Sequence, residues 1–94
     1  MQSAIEGLEI TKDTFLSRSW ELSGFPKTNL NNYETAYDFE KIVQKNIDCT
    51  GITFDSEYSM FCVYAKSKKR LVLFAEQIAE YCSKESSKTK SNEK

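Results

Sequence analysis

The fold class this sequence predicts is an α+β two-layer sandwich, with an antiparallel sheet of three or four strands and two helices on one face. Three observations carry that reading. Ala36, Phe39, Val43 and Ile47 recur at helical spacing,. Leu71, Phe74, Ala75, Ile78 and Cys82 do the same further along the chain,. Elsewhere the apolar residues alternate instead, as Phe61, Val63 and Ala65 do against Met60, Cys62 and Tyr64, and a period of two belongs to strands. The order is ββαββα, or βαββα if the segment before Gly24 holds one strand rather than a hairpin.

In "AIEGLEIT", Leu8 and Ile10 stand two apart and predict a short strand,. Lys12-Asp13 turns the chain into "TFLSRSWELSG", where Leu16, Arg18, Trp20 and Leu22 share one face. Period-two patterning with Trp, Phe and Thr favours a strand. Gly24 and Pro26 end it, and "GFPKTNLNN" reads as a loop,. A helix is predicted over 33–46, capped by Asn31 or Asn32, with Asn31 and Glu34 spaced as in a capping box,. Its acids, Glu34, Asp38 and Glu40, come early and Lys41 and Lys45 come late, as the helix dipole favours,.

The next pattern is a β-hairpin, with about 51–54 pairing with 59–66 and Asp55-Ser56-Glu57 as the turn,. Both faces of its second strand are fairly apolar, which places it centrally in the sheet. Ser67 then caps the last helix. Phe39, Val43, Phe61, Val63, Leu71, Phe74 and Ile78 are the expected core. From Ser83 onward "SKESSKTKSNEK" has no apolar residue, so the reading is one compact domain over 1–82 and a disordered polar tail over 83–94,.

Composition narrows the function classes. With 94 residues, 39% hydrophobic and 13% aromatic, the chain has the large flat side chains that let a small domain build a core. The formal charge is −1, and the lysine-rich tail leaves the body near −3. A general nucleic-acid binder needs a dense basic face instead. The start, "MQSAIEGLEITKD", lacks a basic beginning and an apolar run of signal-peptide length,. No stretch approaches a membrane span. Cys49, Cys62 and Cys82 are an odd number without close pairing. Reduced thiols and a cytoplasmic location are therefore expected.

Catalytic and metal chemistry finds little to use. Histidine is absent, which removes the commonest general base and the commonest transition-metal ligand. The three cysteines lack zinc-site spacing. Asp55 and Glu57 supply too few ligands for calcium. Three glycines, Gly7, Gly24 and Gly51, make no phosphate loop,. No catalytic residue, cofactor site or metal site is assigned, and a non-enzyme is expected. A thiol-dependent enzyme using Cys49 is the distant alternative.

Two surfaces remain as candidates. Lys66, Lys68, Lys69 and Arg70 crowd the N-terminus of the last helix, where the dipole disfavours positive charge but free N–H groups attract anions,. Asp48 is the acid best placed to relieve them. The other candidate is aromatic: if Trp20 joins Tyr64 on one sheet face, that surface suits a partner. Base-stacking RNA-binding sheets also carry strand aromatics, but "MFCVYAK" lacks their glycine-containing pattern,. The leading expectation is a small adaptor or inhibitor that binds another protein, away from membranes. The alternative is a nucleic-acid or phosphate-ligand binder that uses the basic helix start.

Overall fold

The computed structural model describes residues 2–12, 19–28 and 33–92. The elements run β1 (Leu8–Lys12), β2 (Trp20–Gly24), α1 (Ala36–Asn46), β3 (Thr53–Phe54), β4 (Phe61–Ala65) and α2 (Lys68–Asn92). This is the ββαββα order of an α+β fold. All four strands lie in one open antiparallel sheet, ordered β1-β2-β4-β3. The turn expected at Lys12-Asp13, the positions of Leu16 and Arg18, and the caps expected at Asn31 or Asn32 lie outside the described residues.

Register explains the core. Leu22 pairs with Ile10 on one side and Val63 on the other, while Gly24 pairs with Leu8 and Phe61. Because side chains alternate along a strand, Leu8, Ile10, Leu22, Phe61, Val63 and Ala65 share one face. All six are buried in a single cluster with Phe39 and Val43 of α1 and with Leu71, Phe74, Ala75 and Ile78 of α2. Both helices therefore bury their stripes against that face. Every core residue expected from the sequence is in the cluster. β4 lies between β2 and β3, so its apolar character on both faces reflects a central position.

Helix α1 begins later than expected. Thr35 is the N-cap: its hydroxyl accepts from the Asp38 N–H at 3.2 Å, and the Asp38 carboxylate accepts from the Thr35 N–H at 3.2 Å. This reciprocal pair satisfies two helix-end donors at once, and it leaves Glu34 just outside the helix. The same carboxylate accepts from the Glu34 N–H, and these backbone bonds hold the Asp38 pKa below its ordinary 3.8. A depressed folded-state pKa means that the carboxylate's contribution is full above that ordinary value. It is lost as pH falls through the lowered one. Thr35→Ala is expected to cost about 1 kcal/mol at neutral pH in urea unfolding; an unchanged midpoint would mean that the cap does not hold the helix.

The hairpin also differs in detail. The acids of Asp55-Ser56-Glu57 are exposed, but they lie on the arm rather than at the turn. Glu57 and Met60 exchange backbone hydrogen bonds at 2.8 and 3.2 Å, so the tight turn is Tyr58-Ser59. Between that bridge and β3, the Ser56 hydroxyl accepts the Cys62 N–H at 3.0 Å. A side chain there stands in for a ladder carbonyl. That substitution lets the hairpin run on past Asp55.

Helix α2 starts as expected, with the Ser67 hydroxyl accepting the Arg70 N–H at 3.1 Å. The backbone of α2 is helical from Lys68 to Asn92, a span that includes residues from Ser83 onward, read from the sequence as a polar tail. No proline or glycine interrupts residues 68–92, and a Lys84–Glu80 pair at 2.9 Å bridges one turn across the expected boundary,. Among the described side chains, Cys82 is the last of α2 in the core.

Candidate functional site

The basic helix start is partly consumed by the fold. Arg70 donates from Nε to the Thr50 carbonyl at 3.0 Å and from a terminal nitrogen to the Asp48 carbonyl at 2.9 Å. Its guanidinium also lies 5.4 Å from the centre of the Phe74 ring. Arg70 thus braces the loop between α1 and β3 against α2. That loop is self-ordered too, since the Asp48 carboxylate accepts from both the N–H and the hydroxyl of Thr50. Those bonds depress the Asp48 pKa first, and the nearby Arg70 charge adds to the effect. Asp48 does stand near the basic residues, but Arg70 reaches its backbone carbonyl.

Lys68 is engaged as well, with its ammonium 5.5 Å from the centre of the Trp20 ring, a cation–π contact. Lys66 and Lys69 are exposed. Beside Lys66 lies an open groove of about 670 Å³, lined by Ile52, Thr53, Tyr64, Ala65, Lys66 and Arg70 among others. The structure therefore brings Lys66, Arg70 and Tyr64 together around one groove and turns Lys68 toward Trp20.

Trp20 and Tyr64 do not share a sheet face. Trp20 pairs with Ala65 and Tyr64 pairs with Glu21, so the tryptophan belongs to the Leu22 side and packs against the core. Strand alternation sets this: Tyr64 is an odd step from Ala65. The Tyr64 side of the sheet carries Glu9, Thr11, Glu21, Ser23 and Thr53, a polar rather than an aromatic surface. On it the Ser23 hydroxyl donates to Glu21 at 2.6 Å. Hydrogen bonding to Cys62, then burial, pushes the Tyr64 hydroxyl pKa up.

The thiols are held protonated. Burial pushes Cys62 up to about 11 and raises Cys82. Cys49 is raised by burial and then by the Asp48 charge, and its Sγ donates to the Ile47 carbonyl at 3.3 Å. Thiolate is the reactive form, so these surroundings work against nucleophilic use. Among the described residues no group of three Cys, Asp or Glu converges as a metal site. No described helix is long and apolar enough to cross a membrane.

A surface that the sequence reading did not single out stands at the hairpin tip. Five large apolar residues are exposed among the described residues: Tyr58 at 70%, Leu73 at 49%, Tyr37 at 45%, Phe25 at 40% and Met60 at 36%. All but Leu73 gather at one end. The Ala36 N–H donates to the Tyr58 carbonyl at 3.0 Å, which ties the hairpin tip to the first turn of α1 and sets Tyr37 beside it. Phe25 and Met60 each adjoin the paired residues Gly24 and Phe61. Phe25 also leans on Tyr33, with ring centres 6.1 Å apart, and Tyr33 packs on core Phe39 at 5.1 Å. The sequence signals were slight: a tyrosine in a tight turn, and Tyr37 off the Ala36–Phe39–Val43 stripe. No protein-family model, curated protein or solved structure matches the chain.

Proposed function

We propose that this chain is a small non-enzymatic binding protein, an adaptor or inhibitor that works in the cytoplasm by contacting another protein. The observation that supports it best is the clustering of Phe25, Tyr37, Tyr58 and Met60 at one end of the fold. Small domains hide such residues unless something else covers them, and tyrosine recurs among the residues that dominate interface energies. The three cysteines are unpaired, as this reading expects of a chain in a reducing compartment. The alternative, an anionic ligand such as nucleic acid or phosphate, draws on the groove lined by Lys66 and Arg70.

The two readings separate in one affinity-capture experiment from lysate of the native cell, run with and without nuclease treatment. Tyr58→Ser with Met60→Ser alters only exposed side chains, so stability is expected to hold within about 0.5 kcal/mol. Partner affinity is expected to fall about tenfold or more. Lys66, Lys68 and Lys69 changed together to Gln should leave it intact; Arg70 stays, because its loss would unbrace the 48–50 loop. Full binding by the tip variant, with a steep salt slope that the lysine variant flattens, would replace the protein-partner reading by the anionic one.

A further inference from the structure

We infer that the aromatic tip docks a basic segment of its partner, one that offers arginine or lysine side chains to Tyr58 and Tyr37. This rests on the protein-binding reading above and deepens it. The segments that build the tip, residues 25–28, 33–41 and 55–61, hold five carboxylates (Glu34, Asp38, Glu40, Asp55 and Glu57) against Lys27 and Lys41. Glu57 is the immediate neighbour of Tyr58, and Asp38 of Tyr37. The opposite charge gathers where Lys66, Lys68, Lys69 and Arg70 start α2.

Desolvation gives this asymmetry its consequence. A partner that covers Tyr58 also takes the Glu57 carboxylate out of water, and an ionised group buried without a counter-charge is strongly disfavoured. Asp38 has its compensation, since two backbone N–H groups already bond to it. Glu34, Asp55 and Glu57 are exposed, and none of them is in an ion pair among the described residues. A neutral apolar partner would strand them, and a phosphate-bearing one would be repelled. A guanidinium or ammonium group satisfies both demands, because it pairs with the carboxylate and lies over the negative face of the neighbouring ring. Long-range attraction to the acidic end would also speed encounter with a basic partner.

The test is an amide NMR titration of the full chain with capped hexa-arginine, hexa-lysine and hexa-glutamate peptides. Hexa-arginine is expected to move the resonances of residues 34–38 and 55–60, hexa-lysine to act more weakly, and hexa-glutamate to leave them unmoved. Glu34→Gln with Glu57→Gln should weaken hexa-arginine about tenfold, and Tyr58→Leu should narrow the gap between arginine and lysine. The inference is overturned if hexa-arginine moves nothing at the tip, if it follows the exposed acids of α2 instead, or if the Gln pair binds it equally. Self-association in sedimentation that Glu57→Gln abolishes would also overturn it, since the occupant would then be a second copy. If tip substitutions abolish partner capture while hexa-arginine fails, protein binding stands and the basic segment alone falls.

Discussion

Phe74→Ala is expected to lower the free energy of unfolding by about 3–5 kcal/mol, the range for a large aromatic truncated inside a core. Phe74 is fully buried, its ring meets Phe54 edge-on at 6.4 Å, and the Arg70 guanidinium lies over it. The loss therefore reaches the cluster, the edge strand β3 and the brace on the 48–50 loop together. A small domain has only about 5–15 kcal/mol of stability, so the variant should sit near its unfolding midpoint in mild urea. Leu73→Ala, one residue earlier on the exposed side of α2, is the matched control and should change stability by no more than about 0.5 kcal/mol. Equal midpoints for the two variants would show that the phase of α2 is wrong.

Gly24→Ala should be comparably damaging, for a reason of backbone rather than packing. Gly24 has φ +137°, and a Cβ there would stand 2.0 Å from the Gly7 carbonyl oxygen. Gly7 is constrained in return, with φ +94° and a Cβ position 2.2 Å from the Phe25 carbonyl oxygen. The two glycines let the turn before β1 approach the end of β2, where Lys27 donates to the Glu6 carbonyl at 2.8 Å. Backbone atoms cannot rotate away as a side chain can. A cost of about 3 kcal/mol or more is expected from the strained φ and the collision together. Gly51→Ala separates the two contributions. Gly51 has φ +77° but open space around it, so only the strain remains, about 1–2 kcal/mol. If Gly24→Ala costs no more than Gly51→Ala, the close approach of the two turns is not part of the folded state.

Much of this architecture was legible in one dimension because it follows from periodicity. The Phe39 and Phe74 stripes gave both helices, the Phe61–Val63–Ala65 alternation gave the central strand, and Ser67 announced the start of α2. Boundaries were less legible, because neighbouring residues compete for the same role. Asn31 with Glu34 has the same spacing as Thr35 with Asp38, and the folded backbone shows the second pair making the reciprocal bonds. Asp55-Ser56-Glu57 has better turn chemistry than Tyr58-Ser59, yet the Glu57–Met60 bridge moves the turn outward.

The candidate surfaces depended on three dimensions almost entirely. Composition and periodicity determined by themselves that this is a small α+β chain without histidine chemistry, with a predictable core and a basic start to its last helix. They carry no information about pairing between distant segments. Register decided that Trp20 and Tyr64 lie on opposite faces, because one residue of offset reverses a strand side chain. Tertiary contact decided that Arg70 and Lys68 serve the loop and the tryptophan. The single hydrogen bond from Ala36 to Tyr58 joined segments twenty-two residues apart. Through it, tyrosines that look incidental in the sequence become neighbours on one acidic, aromatic end of the protein.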